Sequence, residues 1–308
     1  MTIDFTTVLT EKSLIGTLAN QSMELYENCV DCDDNSCNHL SGCCSGSCLK
    51  CMDEVNYPNK RPHNGRSLYN CQKLVYYYTC RYSWKYCSEI MYALESIALD
   101  DYPYYKILSL GCGAAPDLMA FEQINSKYKK KMGYRGCDIN PLWENLHKKI
   151  EAYCSENEIA KKFETKDVFD VLSEMKNFKI PFNVVIMQYL ISSFPNNQRA
   201  NLTSALFEGL INNVISKKRN NEPLLVIIND LDHNTLARNY FQLLLSMLKN
   251  RGFHGSVSKR HFTTRSKDYG DKSVQYKNAN NKFIIPYAIE KFDCAVKCSS
   301  AQIIIEVR

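Results

Sequence analysis

Two C-x2-C pairs, Cys29/Cys32 and Cys48/Cys51, stand fifteen residues apart in CVDCDDNSCNHLSGCCSGSCLKC (29–51), a stretch with seven cysteines in 23 positions. That separation fits a four-thiolate zinc site, in which each hairpin places two sulfurs about 2.3 Å from one tetrahedral ion. An iron–sulfur cluster accepts the same thiolates. Cys37, His39, Cys43, Cys44, Cys71, Cys80 and Cys87 are further candidate ligands, and Cys80 and Cys87, seven apart, share one face of a helix. From Cys29 to about Arg66 the chain is too poor in aliphatic residues to form a core unaided, so a bound metal is what would fold it. Cys112, Cys137 and Cys154 lie in apolar segments and read as small buried hydrophobes.

A second chemistry-bearing stretch is ILSLGCGAAPD (107–117), in which Gly111 and Gly113 follow an apolar strand and precede a helix. Glycines there let the chain turn tightly and let a ligand approach without meeting a Cβ. Asp138, in YRGCDINPLW, ends the next apolar strand, where a carboxylate can accept hydrogen bonds from ribose hydroxyls. A nicotinamide dinucleotide fits less well. The third glycine of G-x-G-x-x-G is Pro116 here, and proline offers no amide to a pyrophosphate.

The combination resembles the class I S-adenosylmethionine-dependent methyltransferases, whose first motif reads as an acidic residue, one spacer and G-x-G-x-G. LSLGCGAAPDL matches it at Gly111 and Gly113, with Ser109 at the acidic position and Ala115 in place of the third glycine. The resemblance covers roughly residues 100–308. It implies that the Gly111–Ala115 backbone faces the methionine part of S-adenosylmethionine, that Asp138 takes the ribose, and that Asp167, in ETKDVFD, lies near the adenine. It further implies a cofactor contact at Gln188, which begins the loop QYLISSFP (188–195), a loop that lacks the Asn/Asp-Pro-Pro-Tyr/Phe motif of many exocyclic-amino methyltransferases.

The loop NDLDH (229–233) follows another apolar strand and puts Asp230 and His233 at a mouth position, where either could serve as base to an acceptor that carries a proton. Asp232 reads equally as the cap of a helix starting at Asn234 or Thr235. Residues 251–282 hold eight Lys/Arg against two Asp with interleaved aromatics, and SKYKKK (126–131) is a second basic run. Cations among aromatics can contact phosphates and stack bases, which points to nucleic acid, RNA first.

Elements of definite kinds must hold these groups. The strands KILSL (106–110), YRGCD (134–138), FNVVIM (182–187) and PLLVIIN (223–229), and one near KFETKD, alternate with helical segments. This pattern indicates an α/β fold with a doubly wound, Rossmann-like parallel sheet, closed by AQIIIEVR (301–308) as a last, central or antiparallel strand. From Leu68 to Leu99 large apolar groups recur at helical spacing without Pro or Gly. The expected division is a cysteine-rich, partly helical metal-binding module over 1–99 and a methyltransferase domain over 100–308.

With 45% hydrophobic residues, a net charge of +5, and no leader or long apolar run, the chain reads as a soluble cytoplasmic protein without a membrane partner. The leading expectation is a methyltransferase acting on RNA or another nucleic acid, with S-adenosylmethionine and zinc bound. The alternatives are a protein or small-molecule acceptor, arsenite included, and a non-catalytic cofactor-binding adaptor.

Overall fold

The computed structural model describes residues 12–29, 48–49, 51–52, 71–178, 181–219, 222–232, 237–262, 273–275, 279, 281–295 and 297–308. Eight strands form one sheet: β1 (Tyr105–Leu110), β2 (Met132–Asp138), β3 (Ala160–Thr165), β4 (Val184–Gln188), β5 (Leu224–Leu231), β6 (Gly255–His261), β7 (Ser273–Gln275) and β8 (Ser300–Val307). Their order is β3-β2-β1-β4-β5-β8-β6-β7. The first five strands are parallel, and β8 runs antiparallel between β5 and β6. The final apolar run is thus both central and antiparallel.

The strand order reverses between β1 and β4, leaving a crevice outside their carboxyl ends where an open α/β sheet binds ligands. Successive residues of the inner strands feed opposite faces. Ile107, Val184, Ile186 and Ile227 join one apolar cluster, and Leu108, Leu110, Val185 and Val226 the other. Helices α3 (Pro116–Tyr128) and α4 (Glu144–Glu156) contribute to the first cluster. Helices α5 (Val168–Glu174), α6 (Arg199–Asn213) and α7 (Tyr240–Asn250) contribute to the second.

Two helices precede the sheet, α1 (Leu14–Glu27), whose start is capped by Ser13, and α2 (Gln72–Leu94). Leu14, Leu18, Trp84, Ile90 and Met91 lie in the same buried cluster as Phe121 and Ile107. Residues on both sides of residue 99 thus share one apolar cluster, with α2 packing on α3, β5 and β8 and α1 packing on α2, α3 and α4. Cys80, Cys87, Cys112, Cys137 and Cys154 are buried, as small hydrophobes would be.

The basic segment after Arg251 is in part a strand. β6 pairs with β8 from Gly255 to His261, a placement its charged composition hides. Among the described residues no helix is long and apolar enough to cross a membrane.

Candidate functional site

At the end of β1 the backbone enters the left-handed region three times, at Gly111 (φ +70°), Gly113 (φ +48°) and Ala115 (φ +54°). The third position is where the resemblance expects glycine. Ala115 takes the glycine-like conformation at a cost of about 1–2 kcal/mol, and Pro116 then opens α3. The turn is held from below by Cys112 N donating to Cys137 O (2.9 Å) and Ala115 N donating to Cys112 O (2.7 Å).

Gly113 is fixed at both of its polar atoms. Its amide donates to Asp138 Oδ2 at 3.0 Å, and His147 Nε2–H donates to its carbonyl at 2.8 Å. His147 is buried and stacks on Phe163 with ring centroids 4.3 Å apart. Burial pushes its pKa down to about 4 even though the Gly113 bond opposes this, so the neutral ring holds the turn.

A group whose folded pKa lies below its unfolded value is stabilising above the unfolded pKa and loses that contribution as pH falls. His147→Gln can keep the donor without titrating. The stability of the wild type relative to this variant is expected to fall by up to about 3 kcal/mol between pH 6.5 and about 4, measured by denaturant unfolding at several pH values. A difference independent of pH would show that His147 is not held neutral.

Ser109, at the family's acidic position, is buried beside a carboxylate that comes from elsewhere. Asp117, in the first turn of α3, accepts from Tyr134 Oη at 3.0 Å, and the Ser109 hydroxyl meets the same carboxylate. Burial raises the Asp117 pKa to about 6 against both of these bonds. A carboxylate thus lies beneath the turn although Ser109 supplies none.

The other expected cofactor residues lie at the carboxyl ends of neighbouring strands. Asp138, at the tip of β2, also accepts from Asn140 N at 2.9 Å, and burial raises its pKa while these amides oppose the rise. The next residue, Ile139, is 67% exposed. Asp167, after β3, caps α5 by accepting from Phe169 N at 2.8 Å. Gln188, at the tip of β4, donates through Nε2 to Tyr86 O on α2 at 3.1 Å. The sheet therefore aligns Asp167, Asp138, the glycine turn and Gln188 along one edge, in the strand order β3-β2-β1-β4.

Asp230 does not face an open mouth. It is fully buried, accepts from Ser192 N (3.1 Å) and Leu231 N (2.7 Å), and has its pKa raised by burial to about 6. This carboxylate fastens the loop after β4. Arg199, also buried, holds the same loop from its carbonyl side by donating to Ile191 O, Ser192 O and Phe194 O at 3.2, 3.1 and 2.8 Å. His233 lies outside the described residues. Asp232 pairs with Arg238 at 2.8 Å, and Asn234 and Thr235, where the helix it might cap was expected to start, lie outside the described residues.

Sequence reading missed the polar groups that α2 brings to this end of the sheet. Tyr189 is left-handed (φ +55°), donates through its amide to Asn229 O, and through its hydroxyl to Glu89 Oε2 at 3.0 Å. Glu89 is fully buried, with Lys85 Nζ 3.9 Å from its carboxylate and Ser299 N donating to it at 3.0 Å. The spacing of Tyr78, Tyr82 and Tyr86 was the visible signal that one face of α2 has a special composition.

Of the cysteines expected to bind zinc, Cys29, Cys48 and Cys51 are described and Cys32 is not. Among the described residues no three or more His, Cys, Asp or Glu side chains gather as metal ligands would. Burial, the largest of several causes, pushes the Cys48 thiol up to about 12. Several expected nucleic-acid cations are used internally. Arg260 is buried and donates to Tyr92 O, Lys259 Nζ meets Gln242 Oε1 at 3.2 Å, and Lys130 Nζ donates to Leu99 O and Tyr102 O.

No protein-family model matches the chain, and no curated protein is significantly similar to it. Among solved structures the chain is similar to a putative class I S-adenosylmethionine-dependent methyltransferase from Listeria monocytogenes, at 12% identity over 95% of this chain and 86% of that one, with a TM-score of 0.47. It is similar also to magnesium protoporphyrin IX methyltransferase from Synechocystis PCC 6803, solved with bound S-adenosylmethionine, at 11% identity over 91% and 99% of the two chains and a TM-score of 0.41. The likeness to WbdD, crystallised with a kinase inhibitor, has 11% identity and a TM-score of 0.39, and covers 70% of this chain but only 39% of that one.

Proposed function

We propose that the chain is an S-adenosylmethionine-dependent methyltransferase with a nucleic acid, RNA first, as acceptor. The observation that carries the transferase reading is the left-handed turn Gly111–Ala115 at the switch point of the sheet, clamped through Gly113 N to Asp138. The turn is a cradle that side chains would fill, since a Cβ at Gly111 would lie 3.1 Å from Leu190 Cδ1 and one at Gly113 3.6 Å from Trp143. The site also suits a ligand without phosphate. Pro116 removes an amide at the helix start, and Asp138 and Asp167 make this edge acidic.

S-adenosylmethionine, when bound, supplies an electrophilic methyl for in-line displacement by the acceptor. The residues present would bind and align it. Gly111, Gly113 and Ala115 offer a close backbone surface, Asp138 an acceptor for ribose hydroxyls, and Ile139 and Asp167 a wall for the adenine. Transfer of this kind needs alignment above all. Asp230 and Arg199 supply it by fixing both polar sides of the loop after β4. The departures at Ser109 and Ala115, which favoured a non-catalytic adaptor, are offset by Asp117 beneath the turn and by the left-handed backbone of Ala115.

Incubation with methyl-labelled S-adenosylmethionine and, separately, single-stranded RNA, protein extract and arsenite tests this reading. Label entering RNA is the expected result. Label entering only protein or arsenite moves the acceptor to that class. Cofactor binding without transfer to any of them returns the adaptor.

A further inference from the structure

Tyr78, Tyr82 and Tyr86 recur every fourth residue on α2 and form a continuous row. The Tyr82 and Tyr86 rings are stacked, 5.6 Å apart at 14°, and Tyr78 lies 5.0 Å from Tyr82. One end of the row meets Trp143, 5.8 Å from Tyr78, whose indole is also the nearest neighbour of a Cβ placed on Gly113. The other end meets Tyr189, 4.5 Å from Tyr86, at the carboxyl end of β4. The row thus spans the crevice from the glycine turn to the loop where an acceptor would enter. Tyr78, Tyr82 and Tyr189 remain partly exposed along it.

We propose that this row is the acceptor subsite and that it takes a planar nitrogen heteroaromatic ring, of the kind a nucleobase carries, by stacking. This rests on the methyltransferase reading for what happens to the ring, but not for its binding.

The charges on the row separate such a ring from a cationic amine. Arg81 lies over Tyr82 at 5.4 Å, and Lys85 lies over both Tyr86 and Tyr189 at 5.0 Å. Each of these cations is also paired with a carboxylate, Arg81 with Asp293 at 2.6 Å and Lys85 with Glu89 at 3.9 Å, so the ring faces they cover are already supplied with a cation, whereas a neutral π-face gains stacking area against aromatic and guanidinium planes.

A hydrogen-bonding pair lies beside the row. Gln188 and Asn229 are register partners on β4 and β5, and Gln188 is tied to the row through Tyr86 O. Gln188 Oε1 and Asn229 Nδ2 are buried and find no partner among the described residues. An unmatched acceptor and an unmatched donor on register-paired residues of neighbouring strands are groups that the edge of a heteroaromatic ring complements, in the manner of amide side chains reading base edges.

Binding of a short single-stranded RNA and of mixed free nucleosides is measured with and without S-adenosylhomocysteine, following tryptophan emission because Trp143 adjoins the row. Phosphoethanolamine serves as the non-aromatic amine control. Tyr82→Leu is expected to weaken binding of the aromatic probe about tenfold or more, from the stacking contribution of one ring. Tyr82→Phe, which keeps the ring, should bind as the wild type does, and S-adenosylhomocysteine affinity should change less than about twofold in either variant.

Binding of RNA but not nucleosides assigns the ring to a nucleic acid, and binding of both to a free molecule as well. Equal probe affinity in Tyr82→Leu and wild type overturns the proposal, as does binding of phosphoethanolamine in preference to both aromatic probes. Ring-dependent probe binding without any S-adenosylhomocysteine binding removes the methyltransferase reading and leaves the stacking subsite standing.

Discussion

Gly111→Val is expected to abolish measurable S-adenosylmethionine binding, and Gly113→Ala to weaken it about tenfold or more in a protein that still folds. At Gly111 a β-branched side chain would have to adopt φ +70° with Leu190 Cδ1 only 3.1 Å from its Cβ. The backbone contributes about 1–2 kcal/mol of strain and overpacking about 1–3 kcal/mol, and any relief moves the turn. Gly113→Ala is the milder case. Its Cβ has 3.6 Å to Trp143, and Ala115 already holds an alanine in the left-handed region, so the main consequence is a methyl group on the surface the ligand approaches.

Asp138→Ala should also weaken binding, because the ribose loses its acceptor and Gly113 N loses its clamp. Equilibrium dialysis with labelled S-adenosylmethionine, with thermal melts alongside, reads all three variants. Wild-type affinity in folded Gly113→Ala and Asp138→Ala would place the ligand elsewhere.

Arg199→Met is expected to destabilise the fold by about 3–5 kcal/mol and to slow methyl transfer more than it weakens cofactor binding. The guanidinium is buried and bonds three carbonyls of the loop after β4. Hydrogen bonds to a charged group contribute about 1.5–3 kcal/mol each, and methionine restores part of the packing but none of the bonds. Asp230 would then hold the loop from its amide side alone, through Ser192 and Ile191. Denaturant unfolding gives the stability and kcat the effect on transfer. A variant with unchanged stability would show that these carbonyls need no partner.

The parallel sheet and the glycine turn were legible because their signals are local. Apolar strands ending in Gly111 and in Asp138 specify the geometry of a βα unit within a few residues. The continuous core was not legible, since the helical spacing of Leu74, Trp84 and Met91 shows an apolar face without showing what it meets. Long-range substitution hid a further part of the site. Ser109 looks like a lost carboxylate until the fold brings Asp117 and Tyr134 against it.

Charge misled in the opposite direction. Arg260 and Lys130 look like surface cations in the sequence, yet Arg260 donates to Tyr92 O and Lys130 to Leu99 O and Tyr102 O, because a long side chain can bury its stem and still find an acceptor. Asp230 was placed correctly at a strand end and given the wrong surroundings. Periodicity puts a residue at the mouth of the sheet, but only packing decides whether it faces a substrate or a loop.

A crystal structure of the protein with S-adenosylhomocysteine would show directly whether the glycine turn holds the cofactor. The methionine portion is expected against the Gly111–Ala115 backbone, the ribose hydroxyls within hydrogen-bond distance of Asp138, and the adenine beside Ile139 and Asp167. An empty turn at saturating ligand, or ligand bound away from Asp138, would contradict this placement.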